Sequence, residues 1–353
     1  MEYQPDYRHF ADVMRNVRPS RLPVYEHSIS PNVMEIVLDT KFADLAQGDQ
    51  ADQADLAKFF HHYCRFFREM TYDVISFEVG ITAILPEHGA IRGGKPGPIQ
   101  SRSDFELYPW DELPQRFEQH AIPKFDALVA SMPDGMKAVG GVGNGVFEIS
   151  EDLVGLEYLP FMQVDDPELY SDLFKKIGDM MCAIWMEFMN RYESTFIACR
   201  VGDDLGFKSS LLTNPTTVSE HIIPQYKRII NIIHTAGKPF LWHSCGCIFE
   251  VMEAFIALGI DAKHSNEDTI APFDRWINEY GCRIGLLGGF DMDFLCTKSP
   301  NEIYDVVFDS GQRYRSTAHG YALGSGNSIP DYVPVENYLA MIRAAQAIRE
   351  NEK

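Results

Sequence analysis

Short apolar, β-rich runs alternate with longer amphipathic segments along this chain, and that alternation predicts its architecture. The runs are Leu22 to Tyr25, Tyr72 to Glu78, Met136 to Gly141, Phe196 to Gly202, Lys238 to His243, Ile260 to His264, Arg283 to Gly288 and Gly320 to Leu323. Each has the length and composition of a strand buried on both faces. Between them, Asp55 to Met70, Glu168 to Tyr192, Val218 to Ala236, Phe249 to Leu258 and Ile270 to Tyr280 repeat apolar residues at helical spacing, and Val335 to Glu350 closes the chain. Strands separated by helices predict an α/β protein, a single (β/α)8 TIM barrel over residues 1–353 with an N-terminal extension. A doubly wound open sheet is the second choice, because periodicity does not separate closed from open sheets. No repeat or linker divides the chain.

A barrel puts chemistry where its strands end and the βα loops begin. Polar residues collect there. Glu78 ends the second run, Asp203 and Asp204 follow the fourth, and His243 and Cys245 end the fifth. His264, Asn266 and Glu267 follow the sixth, Asp291 the seventh and Asn327 the eighth. An acid at Glu78, after Val74-Ile75-Ser76-Phe77, is costly to bury unless paired or functional. Helix capping accounts for one of Asp203 and Asp204 but not for both. Glu78, Asp203 and Asp204 are therefore the candidate catalytic groups, and His264, Asn266, Asp291 and Asn327 candidate substrate contacts. Tyr25 joins the substrate group, and Phe77, Trp242 and Phe290 are further candidate walls of an apolar cleft. Each aromatic fits the core equally well. The stretch Gly80 to Trp110 holds five glycines and four prolines; it predicts a long loop over the barrel mouth, with room for a hairpin.

The sharpest chemical signal is Trp242-His243-Ser244-Cys245-Gly246-Cys247. On a strand, residues i and i+2 share a face. His243 and Cys245 therefore point the same way at a strand end, and Gly246 lets the chain turn at once. An imidazole beside a thiolate is half of a zinc site. A buried cysteine next to a backbone-bonded histidine would look the same; the strand-end position and the glycine favour metal. Cys247, beyond the turn, suits ligation and helix-start packing equally. Cys64, Cys182 and Cys199 read as core, and Cys296 as packed in a helix start.

Charge removes several function classes. Acidic residues number 51 against 31 basic, a formal charge of -20, which disfavours nucleic acid and anionic lipid. No apolar run approaches the roughly 20 residues of a membrane span. Seven cysteines, an odd number spread along the chain, argue against a disulfide framework and for a reducing cytoplasm. Gly140-Gly141-Val142-Gly143-Asn144-Gly145 matches neither phosphate-loop nor dinucleotide spacing.

With these segments in order, the chain resembles the uroporphyrinogen decarboxylase superfamily, and within it the cobalamin-dependent methyltransferases. The resemblance rests on Gly202-Asp203-Asp204-Leu205-Gly206, Ile223-Pro224-Gln225-Tyr226-Lys227, Ala236-Gly237-Lys238-Pro239, His243-Ser244-Cys245-Gly246, Gly324-Ser325-Gly326-Asn327-Ser328-Ile329-Pro330 and Val335-Glu336-Asn337. It implies a (β/α)8 barrel and zinc-assisted methyl transfer from a small donor to the cob(I)alamin of a partner corrinoid protein. The donor of first choice is a methoxylated aromatic (O-demethylation). It also implies a homodimer. The zinc ligands carried over are His243 and Cys245, and a third falls on Asn327, a poor zinc ligand. That departure counts against the reverse reaction, from methylcorrinoid to a thiol or pterin. The decarboxylase itself is disfavoured because Tyr25-Glu26-His27-Ser28-Ile29-Ser30 replaces its arginine-rich motif. A non-catalytic tetrapyrrole-binding barrel is the remaining alternative. No Asp-x-His-x-x-Gly corrinoid segment occurs, so the cofactor would arrive with its partner.

Overall fold

The computed structural model describes residues 3–46 and 52–352. Seven parallel strands are present among them: β1 (Val74–Gly80), β2 (Lys137–Gly143), β3 (Phe196–Gly202), β4 (Phe240–His243), β5 (Ala262–His264), β6 (Gly285–Phe290) and β7 (Tyr321–Ser325). They lie side by side in chain order, β1 to β7, with helices in between. The sheet curls in the manner of a TIM-like barrel. Among the described residues no helix is long and apolar enough to cross a membrane.

The first expected strand, Leu22 to Tyr25, is reduced to one bridge between Val24 and Leu323. Tyr25 N–H donates to Leu323 O at 2.8 Å, and Leu323 N–H donates to Pro23 O at 3.0 Å. Pro23 has no N–H, which prevents the ladder from growing. On its other edge the segment meets β1 through the Ser76 hydroxyl, which donates to Glu26 O. Glu26 is fully buried, accepting from Ser325 N–H at 2.9 Å and from the Ser325 hydroxyl. Side chains thus take over where backbone pairing stops.

Inside the sheet, Tyr25, Val74, Val139, Ala198, Leu241, Ala262, Leu287 and Ala322 form one apolar cluster. The helix Arg8–Met14 closes it from below with Phe10, Val13 and Met14. A larger core fills the space between strands and outer helices. Trp242 belongs to this outer layer, stacked on Phe255 with ring centroids 3.8 Å apart. Phe290 packs against Tyr314, also outside the strands. Neither ring faces the mouth, because alternation along each strand turns these side chains outward, whereas Phe77 lines a cavity at the end of β1.

Two other expectations shift. The helix expected from Ile270 begins at Phe273, after Pro272. The stretch after Gly80 holds short helical turns and the helix Arg102–Leu107 among its described residues, with no hairpin. It is tied down on the helix Val146–Val154 by Gly97 N–H to Val154 O and Ile99 N–H to Leu153 O, both 2.9 Å. Gly89 and Ile91 donate to Asp152 Oδ1 as well.

Candidate metal centre

Parallel register sets Gly202, His243 and His264 side by side across β3, β4 and β5. The two imidazoles therefore project from neighbouring strands on one face. His243 Nδ1 lies 2.9 Å from His264 Nδ1, and His264 Nε2 lies 3.1 Å from the Ser325 carbonyl oxygen. A carbonyl only accepts, so His264 carries its proton on Nε2 and accepts at Nδ1. His243 must then donate from Nδ1, which bares the lone pair on its Nε2. Burial keeps both rings neutral: it lowers His243 and depresses His264 to about 3.

That bare nitrogen faces Cys245, whose Sγ is 3.5 Å away. Nitrogen and sulfur ligands of one tetrahedral zinc sit about 3.6 Å apart at ordinary bond lengths. Asp204 joins them, with one ligand atom from each of Asp204, His243 and Cys245 lying within 4.8 Å of the others. Burial pushes the Cys245 thiol well above its usual range. The sulfur becomes a ligand only with a cation beside it, as a divalent ion would be. The N, S and O donor set fits zinc.

The neighbouring loops hold this group in place. Asp204 Oδ1 accepts from Cys245 N–H at 2.8 Å, and Cys247 N–H donates to Phe207 O at 2.6 Å. Gly246 adopts a φ of +80°, and a Cβ there would come within 2.1 Å of the Gly206 backbone. Both glycines are needed for the β3 and β4 loops to meet. Cys245 Sγ also accepts from Ser265 Oγ at 3.3 Å and from Asn327 Nδ2 at 3.4 Å. Asn327 therefore faces the sulfur, but an amide nitrogen is a donor and no metal ligand. Cys247 stands outside the two candidate ligand groups among the described residues, Asp204 with His243 and Cys245, and His27 with His243 and His264.

Beside the centre is a second network. Arg200 rises from β3, its side chain 1% exposed, and reaches Glu78 Oε2 from Nη2 at 2.7 Å and from Nε at 3.0 Å. Its Nη1 donates to Tyr25 OH at 2.7 Å and to His27 O at 2.9 Å. Glu78 is thereby paired, and its Oε1 stands 3.9 Å from His27 Nε2. The His27 ring stacks on His243 with centroids 4.0 Å apart, and its Nδ1 is buried without a partner. Tyr25 is buried behind Arg200 rather than lining the mouth. Arg200 and His27 are the two residues missed in the sequence. A lone arginine inside the apolar run Phe196 to Gly202 was the available signal; His27 had none beyond replacing a cationic motif.

The remaining expected residues divide by their partners. Asp203 is fully buried and accepts from Phe147 N–H, Glu148 N–H and Tyr226 OH, the last at 2.8 Å. It caps the helix Val146–Val154 from another element, while Gly145 leaves room for it, since a Cβ there would sit 2.2 Å from Asp203. Burial raises its carboxyl. Glu148 is raised too, by burial and then by Asp203 and Asp204. Asp291 caps the helix Met292–Thr297 and accepts from Asp268 N–H. Asn266 is buried, with Oδ1 accepting from Gly289 N–H at 3.0 Å and Nδ2 unpartnered. Asp203 and Asp291 are thus engaged in the scaffold, whereas Glu78, Asp204, His264 and Asn327 stand at or beside the centre.

Comparison with known proteins agrees with this frame. No curated protein sequence matches the chain. A methyltransferase from Methanosarcina mazei superposes with a TM-score of 0.73 at 13% identity, covering 96% of this chain and 97% of that one. A Listeria monocytogenes protein assigned as a vitamin-B12 independent methionine synthase gives 0.51, also at 13% identity, with 94% and 96% covered. At such identities these likenesses speak to the fold. The sequence profile described as uroporphyrinogen decarboxylase matches residues 98–348, which include the His243–Cys245 strand end, Asp203–Asp204 and Asn327. This chain belongs to the uroporphyrinogen decarboxylase family.

Proposed function

We propose that the protein is a corrinoid-dependent methyltransferase, moving a methyl group from a small donor to the cob(I)alamin of a partner corrinoid protein, with a methoxylated aromatic as donor. The observation that carries the reading is the hydrogen-bond chain from Ser325 O through His264 to His243, which bares Nε2 toward Cys245 Sγ. Zinc held by His243, Cys245 and Asp204 would supply Lewis acidity toward the donor's oxygen. Ser265 and Asn327 would steady the sulfur by donating to it. Arg200 fixes Glu78, and Glu78 Oε1 with His27 Nε2 forms the pair placed to manage the leaving oxygen's proton. His264 acts as a positioning residue, setting the tautomer and orientation of His243.

Porphyrinogen decarboxylation suits this mouth poorly. Arg200, a cation beside the centre, already spends its N–H groups on Glu78, Tyr25 and the His27 carbonyl. A substrate bearing many carboxylates would meet Glu78, Glu148 and Asp204 instead. Methyl transfer to a thiol is disfavoured by Asn327, which donates to the sulfur where a further ligand would be needed.

The test is direct. The zinc-loaded protein is mixed with a cob(I)alamin carrier and a panel of methoxyarenes, methanol and methylamines, and methyl-cobalt absorbance is followed. Formation with a methoxyarene supports the reading; silence across the panel contradicts it.

A further inference from the structure

A thiolate at a methyl-transfer centre is itself a methyl acceptor. Cys245 is half-buried and so within reach of a small electrophile. Left unguarded, its sulfur would attack the carbon of methyl-cobalt. The carbon–cobalt electron pair would stay on cobalt as cob(I)alamin, and Cys245 would become an uncharged S-methyl thioether. That product lacks the negative charge with which the sulfur holds a divalent ion.

Two side chains from different strand ends meet this sulfur. Ser265, one residue past β5, brings Oγ to 3.3 Å, and Asn327, two residues past β7, brings Nδ2 to 3.4 Å. Both donors are fixed from behind. Ser265 is buried, and Lys263 Nζ donates to its carbonyl oxygen. Asn327 Oδ1 accepts from Ser328 Oγ at 3.0 Å, which turns the amide nitrogen to the sulfur. The Ser265 hydroxyl also lies 3.4 Å from Ser244 O, but an anionic sulfur outcompetes a neutral carbonyl for its proton. A thiolate sulfur has three lone pairs. The metal takes one, and the hydroxyl and the amide take the others, so no pair remains for an incoming methyl carbon.

We infer that Ser265 and Asn327 passivate Cys245, keeping a metal-holding thiolate from becoming a methyl acceptor. The inference rests on the methyl-transfer reading for its purpose, but its test uses neither corrinoid nor methyl donor. Asn327 is then more than a missing ligand. A sulfur at that position would offer a second nucleophile, whereas the amide disarms the first.

The probe is methyl iodide, added to zinc-loaded wild type, Ser265→Ala, Asn327→Leu and Ser328→Ala, with peptide mass mapping to read the methyl group on each cysteine. Exposed Cys282 is the common clock, and buried Cys64 and Cys199 become modified only where the fold is lost. Relative to Cys282, Cys245 should be methylated about tenfold or more faster in Ser265→Ala and in Asn327→Leu, the worth of one hydrogen bond to a charged group. Ser328→Ala frees the amide to turn and should give a smaller increase; it carries the test if the other two lose their fold. With cobalt(II) in place of zinc, the sulfur-to-cobalt charge-transfer band should move to longer wavelength in the same variants, because a sulfur with fewer hydrogen bonds gives up its electrons more easily. Rates and band positions unchanged from the wild type overturn the inference. So does a wild type whose Cys245 reacts as fast as Cys282, or one that takes up neither metal. Faster methylation in the variants of a protein silent with cob(I)alamin supports passivation and contradicts the methyltransferase.

Discussion

The β2–β3 side and the β4–β5 side of this mouth both carry polar residues at their strand ends and put them to opposite uses. Asp203, one residue beyond β3, is enclosed by Phe147 N–H, Glu148 N–H and Tyr226 OH and is consumed in starting a helix. His243, the last residue of β4, donates from Nδ1 to His264, and that bond turns the lone pair of Nε2 toward Cys245. Position at a strand end therefore does not assign a role. What does is whether a lone pair remains after the scaffold has been satisfied.

Five substitutions probe that contrast. The largest effect is expected at the open side: His243→Ala or Cys245→Ala should lower methyl transfer by about 10³-fold, the several kcal/mol that a Lewis-acid metal contributes. Turnover per folded molecule should stay within about threefold in Asp203→Asn. If Asp203→Asn also loses turnover by orders of magnitude, the two sides are not distinct. Next, Asp203→Asn should cost about 2–4 kcal/mol of stability, because a buried cap with several charge-assisted bonds is disrupted. Urea unfolding measures this, and a midpoint like that of the wild type would remove Asp203 from its structural role.

A smaller effect separates ligand from support. His264→Phe should keep the fold but weaken zinc about 10–100-fold, the usual range for an outer-shell partner of a metal histidine. Competition with a chelator reads it, and unchanged affinity would show that His264 does not orient His243. The smallest effect lies at the bridge that stands in for a first strand. Burial raises Glu26 from 4.5 to about 8. The folded state thus binds a proton that the unfolded chain releases, so this contribution is full below pH 4.5 and is lost as pH rises through about 8. Glu26→Gln should flatten that decline in urea midpoints between pH 5 and 9. Some slope should remain, because Glu151 is likewise raised to about 8. A decline as steep as in the wild type would contradict the burial argument.

Much of the frame was legible because strand periodicity is local. The expected run Phe196 to Gly202 coincides with β3, and Phe249 to Leu258 with its helix. The His243–Cys245 pair was legible for the same reason: two residues apart on a strand share a face whatever the rest of the chain does. Contacts made across the barrel were not legible. Arg200 finds Glu78 from 122 positions away, and His264 reads its proton position from Ser325. Trp242 and Phe290 were misassigned because a run buried on both faces gives no sign of which face is inside. Trp242 sits next to His243 and points the other way.

The central claim is that His243 and Cys245 hold one metal ion and that the β2–β3 carboxylate does not. Elemental analysis of purified wild type, His243→Ala, Cys245→Ala and Asp203→Asn measures it most directly. About one zinc per chain is expected in wild type and Asp203→Asn, and next to none in the other two. Equal zinc in all four proteins would contradict the account.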